Sequence, residues 1–230
     1  MVKVGVMSKR IISFSLWGSN PKYVIGAIRN AELAELVYPG WICRFYVDFQ
    51  TIPSTEVQFL SAKTNVQILS MPGDMDGWKG MFARFLEVSD FENEVTIVRD
   101  CDSRLSQREA DAVNEWLESP RLIHVMRDHP HHTAPILGGM WGAKQHAIPN
   151  MKELIAQWNK EDRWQTDQEF LRDVIWPQHY HKAMAHDDWN RFSGAVDSRF
   201  FPTPRDDNDF VGAIIGANEE RLHPEHHEMV

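Results

Sequence analysis

Short apolar runs alternate with longer amphipathic stretches through the first half of the chain. Four runs rich in β-branched and aromatic residues predict buried strands, at residues 10–16, 41–47, 66–69 and 95–98. The stretches between them predict three helices, at residues 22–37, 54–61 and 79–88. Strands and helices that alternate in this order form a mostly parallel sheet with helices on both faces. The pattern therefore predicts an α/β fold.

The second half of the chain has a different character. Residues 106–118 predict a helix capped by Ser106, with Glu109 three residues later, and residues 122–126 predict another strand. Clusters of histidine and glycine follow, then a predicted helix at 150–160 and a tail rich in Trp, His and Asp. We expect one unit over residues 1–230, with a nucleotide-binding half at about 1–105 and a more irregular acceptor-binding half at about 106–230.

Composition narrows the class of protein. The 230 residues are 43% hydrophobic and 25% charged, which is ordinary for a globular protein, and the formal net charge is −9. Nucleic-acid binding requires clustered positive charge, so we expect no nucleic-acid partner. No apolar run approaches the ~20 residues that span a bilayer. Two cysteines, Cys43 and Cys101, give no disulfide framework. We therefore expect a cytoplasmic protein without a membrane span.

An acidic pair follows the fourth predicted strand directly. Asp100 and Asp102 are separated by one residue, and side chains two apart on an extended chain point the same way. Carboxylate oxygens suit hard cations such as Mg²⁺ and Mn²⁺, and open α/β sheets bind ligands beyond the carboxyl ends of their strands. The pair therefore predicts a metal site at this strand end. The alternative is a solvated turn or a helix cap, which is common for so short a motif.

Seven short motifs occur in a fixed order over nearly the whole chain. They are FSLWG (14–18), MFARF (81–85), RDCDSR (99–104), RDHP (127–130), ILGGMWG (136–142), TDQEFL (166–171) and FVG (210–212). Each is short, but their order and spacing resemble nucleotide-sugar glycosyltransferases of the GT-A fold, especially the small glycosyltransferase domains of chlorella viruses. The resemblance implies a GT-A-like fold, with a Rossmann-like, mostly parallel first half followed by an acceptor-binding second half.

The resemblance assigns donor-binding roles in the first half. Residues after the first strand would frame the nucleotide, Arg84 would reach the nucleotide or pair with Asp100, and Asp102 would be the main metal ligand. The implied nucleotide-binding residues are Ser15, Leu16, Trp17, Arg84, Asp100, Cys101 and Asp102. The alternatives left open are that Trp17 packs in the core and that Arg84 lies on a polar helix surface.

The resemblance also assigns sugar- and acceptor-binding roles in the second half. Residues 138–142 are expected to form a loop that approaches a sugar closely, because glycine turns freely, and Trp141 would offer an aromatic plane. The alternative is a tight turn with Trp141 in the core. The implied sugar- or acceptor-binding residues are Asp128, His129, Gly138, Gly139, Trp141 and Gln168.

Two further residues receive chemical roles by the same resemblance. Asp167 begins a predicted helix and would receive the acceptor hydroxyl, and in an inverting enzyme it would take the proton. It is equally a candidate helix cap, and the weaker alternatives for the acid are Glu169, Asp187 and Asp188. His186 is a candidate third metal ligand by position. A zinc cluster among the other histidines has no cysteine ligands or regular spacing to support it.

Together these expectations describe a metal-dependent glycosyltransferase. A UDP-sugar is the expected donor, a glycan or other hydroxyl compound the acceptor, and Mn²⁺ or Mg²⁺ the cofactor. One rival is a metal-dependent nucleotidyl- or phosphotransferase, although the segment after the first strand has no glycine-rich loop with lysine. The other is a non-catalytic module that binds nucleotide sugars. Mn²⁺-dependent release of UDP that an acceptor increases distinguishes the transferase from both.

Overall fold

The computed structural model describes residues 9–75 and 77–230, so residues 1–8 and 76 of the predicted unit lie outside the described part. The first half alternates strands with helices. Its elements are β1 (Lys9–Leu16), α1 (Pro21–Val37), β2 (Ile42–Val47), α2 (Ser54–Ser61), β3 (Val66–Ser70), a 3₁₀ helix (Gly77–Ser89) and β4 (Asn93–Arg99). The alternation predicted from the sequence is therefore observed.

The second half contains shorter elements and more irregular backbone. Its helices are α3 (Gln107–Glu118), α4 (Met151–Gln157), α5 (Thr166–Phe170), a π-helical turn (Leu171–Ile175), α6 (Trp176–His179), a 3₁₀ turn (Tyr180–Lys182) and α7 (Pro224–His227). Its strands are β5 (Ile123–Arg127), β6 (Met140–Lys144), β7 (Ala183–Asp187) and β8 (Asp197–Arg199). Among the described residues, no helix is both long and apolar enough to cross a bilayer.

The eight described strands form one sheet in the order β3-β2-β1-β4-β6-β5-β7-β8. The pairs β1–β2, β2–β3, β1–β4, β5–β7 and β7–β8 are parallel. Only β6 runs against its neighbours, between β4 and β5. This is the mostly parallel α/β sheet that the alternation of strands and helices predicted.

Apolar side chains cover both faces of the sheet. On one face, Phe14 of β1 and Phe45 of β2 stack with ring centroids 4.6 Å apart, in the same core as the buried alanines of α1. A second core contains Phe85 of the 3₁₀ helix, Trp141 of β6 and Phe170 of α5. Burial on both faces explains why β1 and β2 are buried at successive positions rather than at alternate ones.

Three predicted elements differ from those observed. The helix at 79–88 is a 3₁₀ helix, and the helix at 150–160 ends at Gln157. The loop at 138–142 was wrong for its second half, because Met140–Lys144 is a strand near the centre of the sheet. At Gly142 an added Cβ would meet Ile97 Cγ2 at 2.9 Å and the Thr96 carbonyl at 3.0 Å, so this glycine permits close strand approach rather than a turn.

The order of the strands in the sheet reverses between β1 and β4, which are adjacent and parallel. From β1 the chain continues through α1 to β2 on one side, whereas β4 lies on the other side of β1. The crevice beyond the carboxyl ends of two such strands is the usual ligand site of an open α/β sheet. Because β6 is antiparallel, its first residue, Met140, lies opposite Arg99 at the end of β4. Residues 138 and 139 therefore arrive at this same crevice.

Candidate active site

A cavity of about 490 Å³ lies at this crevice. It brings together most of the residues that the sequence assigned to a site. Those that line it are Ser15, Trp17, Arg84, Asp100, Cys101, Asp102, Gly138, Gly139, Asp167 and Gln168. The cavity is thus built from the end of β1, the end of β4, the segment before β6 and the start of α5.

Arg84 joins two sides of the cavity. Its side chain is buried, and its guanidinium donates to Asp100 through Nη1 and to Asp167 Oδ2 through Nη2 at 3.1 Å. The backbone of Arg84 is held by β1, because Ser13 Oγ donates to its carbonyl at 2.8 Å and its N–H donates to Ser15 Oγ at 3.1 Å. Two serines that share one strand face therefore fix the position of the arginine. The surface arginine that the sequence left open as an alternative is not what is observed.

Asp102 lies beside a lysine that the sequence did not single out. Lys22 is at the start of α1, where Asn20 accepts from its backbone N–H, and its Nζ lies 2.8 Å from Asp102 Oδ2. Burial, together with the negative charge of Asp100, raises the pKa of Asp102 above the ordinary value, against the opposing effect of Lys22. A cation placed between the two carboxylates would relieve this repulsion.

Gly139 allows the backbone to approach Asp100. A Cβ added at Gly139 would lie 2.0 Å from Asp100 Oδ2 and 2.9 Å from the Asp100 backbone nitrogen. Beside it, a Cβ at Gly138 would lie 2.9 Å from Asp167 Oδ2. The two glycines therefore fill the space between the strand-end pair and Asp167 with main chain alone.

The complex of UDP with Mn²⁺ that the resemblance leads us to expect here provides a test of this contact: Gly139→Ala should weaken its binding at least about tenfold, a loss of about 1.4 kcal/mol. The methyl group occupies the position of the Asp100 carboxylate, which must move away from the cavity. Isothermal titration calorimetry measures the affinity. Gly73→Ala is the matched control, because a Cβ there meets no atom within 4 Å. Equal affinity of both variants and the parent would show that Asp100 does not contact the nucleotide complex.

Asp167 lies in the first turn of α5 on the opposite side of the cavity. It is 3% exposed, and burial raises the pKa of its carboxyl group, an effect that the charge of Arg84 partly offsets. The N-cap residue of α5 is Gln165, whose side chain makes no capping hydrogen bond. Next to Asp167, the Gln168 side chain accepts from the Gly138 N–H at 2.9 Å. Asp167 is therefore not the cap residue of this helix, which was the alternative role.

The segment at 211–215 closes the cavity. Gly212 and Ile214 line it, and the Ile215 N–H donates to the Asp102 carbonyl at 2.8 Å. Asp128 holds this segment in place, because its Oδ2 accepts from the Val211 N–H at 2.9 Å. The same carboxylate also pairs with Arg108 and Arg205. Asp128 is fully buried and does not line the cavity. Its observed position is therefore behind the wall at 211–215, and not at the cavity surface where the resemblance placed it.

His132 lines the cavity although the sequence did not select it. Its Nδ1 accepts from the Asp128 N–H at 3.0 Å, and burial lowers its pKa to about 3. A neutral ring that accepts at Nδ1 carries its proton at Nε2, so it is a hydrogen-bond donor for a ligand. Two exposed aromatic side chains at the cavity were also missed, Trp78 and Trp164, which are 43% and 65% exposed. No pattern in the local sequence distinguishes these residues from their neighbours.

Four predicted site residues lie outside the cavity besides Asp128. Leu16 and Trp141 are buried in the two cores, and a fully buried ring such as that of Trp141 cannot stack on a sugar. His129 is 1% exposed and packs on Phe210 with ring centroids 4.6 Å apart. The structure does not bring these side chains to the site that the sequence proposed for them.

His186 is also separated from the acidic pair. It is completely buried in β7, where its Nδ1 lies 2.8 Å from His124 Nε2 and its Nε2 lies 3.1 Å from Glu115 Oε2. Both ring nitrogens are therefore occupied by neighbours far from the cavity. A role as third metal ligand beside Asp100 and Asp102 is not compatible with this position.

Comparisons with known proteins agree at the level of the fold. No family model and no curated protein match the chain. A glycosyltransferase involved in the glycosylation of the major capsid of PBCV-1 is similar in structure, with 14% identity, a TM-score of 0.53 and coverage of 78% of this chain and 81% of that one. The chain has a GT-A-like fold. The resemblance drawn from the seven motifs is thereby confirmed for the architecture.

A second solved structure shares the architecture. It is a 4-diphosphocytidyl-2C-methyl-D-erythritol synthase from Anaerococcus prevotii, with 8% identity, a TM-score of 0.51 and coverage of 84% of this chain and 87% of that one. At such identities the likeness concerns the fold alone. The chemistry of the GT-A-like chain must therefore be argued from its own cavity.

The donor set at the strand end fits a hard divalent cation. Asp100 and Asp102 both line the cavity, and each provides carboxylate oxygens, which Mg²⁺ and Mn²⁺ prefer. The ion pairs with Arg84 and Lys22 engage Oδ1 of Asp100 and Oδ2 of Asp102, which leaves the second oxygen of each carboxylate outside these two pairs. The side chain of Asp100 is 39% exposed, so a solvated cation has access to it.

Proposed function

We propose that this protein is a metal-dependent glycosyltransferase that moves a sugar from a nucleotide-sugar donor, of the UDP-sugar class, to a hydroxyl group of a glycan or similar acceptor. The observation that carries the proposal is the bridge made by Arg84. It links the strand-end acid Asp100 to the buried acid Asp167, and both acids face one cavity. A cation site and a base held close together in this way would suit transfer from a diphosphate to a hydroxyl group.

The donor would occupy the β1–β4 side of the cavity. Ser15, Trp17 and Cys101 line that side, and Tyr23 of α1 adds an aromatic ring. A divalent cation held by Asp100 and Asp102 supplies positive charge that stabilises a departing diphosphate. Lys22, beside Asp102, adds a further positive charge to the same edge.

The acceptor would approach across Gly138, Gln168 and the exposed Trp164, whose ring is suited to pack against a sugar. In the proposed single displacement, the acceptor oxygen bonds to the anomeric carbon as the bond from that carbon to the diphosphate oxygen breaks. The electron pair leaves with UDP, and the acceptor proton passes to the Asp167 carboxylate. A raised pKa makes Asp167 a stronger base than an exposed aspartate.

Incubation with a panel of UDP-sugars tests this function. We expect UDP release that depends on Mn²⁺ and rises when a hydroxyl acceptor is added. Asp102→Asn should reduce Mn²⁺-dependent binding of UDP by at least about 100-fold, since one of two charged ligands is lost. Asp206→Asn is the control, because Asp206 lies outside this cavity. Parental UDP affinity in Asp102→Asn, measured by calorimetry with Mn²⁺, would contradict the metal assignment.

The pH dependence of transfer gives a separate prediction. Because Asp167 acts as a base and its pKa is raised by burial, kcat should increase with pH, along a limb that lies above the ordinary aspartate value of 3.8. The measurement is made with saturating donor and Mn²⁺. Asp102 would then be bound to the metal, so its titration would not affect kcat. The limb should vanish in Asp167→Asn, which cannot titrate. An unchanged limb in that variant would assign the titration to another group.

The rival function is a metal-dependent nucleotidyltransferase, because Asp100 and Asp102 could hold a cation for that reaction as well. That activity would release pyrophosphate from a nucleoside triphosphate, with a sugar phosphate or alcohol phosphate as the second substrate. The same assay with triphosphates distinguishes the two functions. Pyrophosphate release together with stable UDP-sugars would overturn the glycosyltransferase proposal in favour of this one.

A further inference from the structure

A second group of potential metal ligands lies outside the donor cavity. His129 and His131 follow β5, and His223, Glu225 and His226 lie in and before α7. We call these five residues the histidine cluster. The cluster joins two distant parts of the chain, and the proposed sugar transfer uses none of its members.

The geometry of the cluster is compact. One ligand atom from each of His129, His131 and His226 lies within 4.8 Å of the others, and the same holds for His223, Glu225 and His226. The rings of His131 and His226 have centroids 5.1 Å apart and are nearly perpendicular, at 89°. His226 belongs to both sets, so its ring lies beside the loop after β5 and beside its own segment, where His223 Nδ1 lies 3.4 Å from Glu225 Oε1.

The ring nitrogens differ in their availability. His129 Nδ1 accepts from the His131 N–H at 3.0 Å, and its Nε2 lies 3.1 Å from the His226 carbonyl, so the His129 ring is already engaged. Within residues 9–75 and 77–230, no hydrogen bond engages a ring nitrogen of His131 or His226. His129 therefore positions the loop and the helix, and the other two rings are free to act as ligands.

We propose that the histidine cluster is a binding site for a divalent transition metal of the zinc class. His131 and His226 would be its central ligands, with His223 and Glu225 completing the coordination. Imidazole nitrogens with one carboxylate suit zinc and its neighbours in the periodic table, whereas Asp100 and Asp102 offer oxygen alone, which suits Mg²⁺ or Mn²⁺. The chain would thus hold two cations of different chemical class at two separate places.

The location gives the site a structural role. His132, adjacent in sequence to His131, lines the donor cavity, and the segment at 211–215, which closes that cavity, leads towards α7. A metal that joins His131 to His226 would fix α7 to the loop after β5, beside the cavity. The unfolded chain does not hold these ligands together, so it should bind zinc more weakly than the folded protein does. Zinc should therefore raise the melting temperature.

Titration of chelator-stripped protein with zinc chloride tests the site, with a chromogenic chelator as competitor. We expect one tight equivalent in the parent, and a loss of at least about tenfold in affinity in the His131→Ala/His226→Ala variant. The matched control is His179→Ala/His181→Ala, which removes two histidines from another part of the surface. Asp102→Asn should also bind zinc as the parent does, which makes this result independent of the proposed transferase activity.

Spectroscopy and stability provide second readouts. Co²⁺ in place of zinc should give the intense visible absorption of a tetrahedral or five-coordinate site in the parent and the histidine control, and not in the double variant. Zinc should raise the melting temperature of the parent and of the His179→Ala/His181→Ala control, and not that of His131→Ala/His226→Ala. Equal zinc affinity in the parent and His131→Ala/His226→Ala, with the fold of both verified by circular dichroism, would overturn the proposal. The absence of tight zinc binding in the parent would also overturn it.

Discussion

Asparagine at position 167 is expected to slow sugar transfer by roughly 10²–10⁴-fold. The substitution keeps the size of the side chain and its hydrogen bonding but removes the basicity that would accept the proton of the acceptor. The affinity for UDP with Mn²⁺ should change little, because Asp167 lies across the cavity from Asp102 and is separated from the strand-end pair by Arg84. Steady-state kinetics with saturating donor, combined with calorimetry, measures the two quantities.

Asp173→Asn is the control for this experiment. Asp173 belongs to the π-helical turn next to α5 and pairs with Arg172 and Lys160 at the surface. Its loss should leave transfer near the parental rate. Near-parental transfer by Asp167→Asn itself would remove Asp167 as the base. No other carboxylate on the acceptor side lines the cavity within the described residues, since Asp187 and Asp188 are engaged by Arg127 and Arg108 elsewhere.

Arg84→Met is expected to destabilise the protein by about 3–5 kcal/mol, because it removes the partner of buried Asp167 and of Asp100. Urea unfolding followed by tryptophan fluorescence measures the loss. Arg172→Met is the matched control, since Arg172 is paired with Asp173 at the exposed surface, where such pairs contribute at most about 1 kcal/mol. The difference between the two variants isolates the cost of an unpaired buried charge.

The double variant Arg84→Met/Asp167→Asn sharpens this test. Removing the carboxylate charge together with its partner should recover part of the stability lost in Arg84→Met, so the two substitutions should not be additive. Additive losses would mean that Arg84 stabilises the fold by packing and not through Asp167. A loss no larger than that of Arg172→Met would show that the guanidinium bridge contributes little to stability.

The first half of the fold was predictable because its signals are local. The strands β1, β2 and β4 are mostly buried runs rich in β-branched and aromatic residues, and β3 is a shorter, partly exposed strand at the edge of the sheet. The helix α1 begins at Pro21 after a side-chain cap at Asn20. The acidic pair was predictable for the same reason, since a carboxylate just beyond a buried strand has to lie at the sheet edge. Neither inference requires knowledge of contacts between distant residues.

The second half was less predictable because its structure depends on distant partners. The glycines around Trp141 are typical of turns in the sequence. In the structure, Gly139 and Gly142 leave no room for a side chain, because Asp100, just after β4, and Ile97 of β4 lie against them. Asp128 and His186 are polar residues in motifs, but Arg108, Arg205, His124 and Glu115 satisfy them inside the protein. Burial and pairing across the chain leave no pattern in the nearby sequence, so these side chains resembled site residues.

The hydrogen bond from the Ile215 N–H to the Asp102 carbonyl has a consequence for shortened forms of the protein. The last described strand ends at Arg199, whereas the segment that closes the cavity lies beyond it. A chain terminated near position 200 would retain every described strand and still present an open, solvent-filled cleft. Such a product would also lose Arg205 and the Val211 N–H, which hold the buried Asp128, so its stability and its cleft should change together.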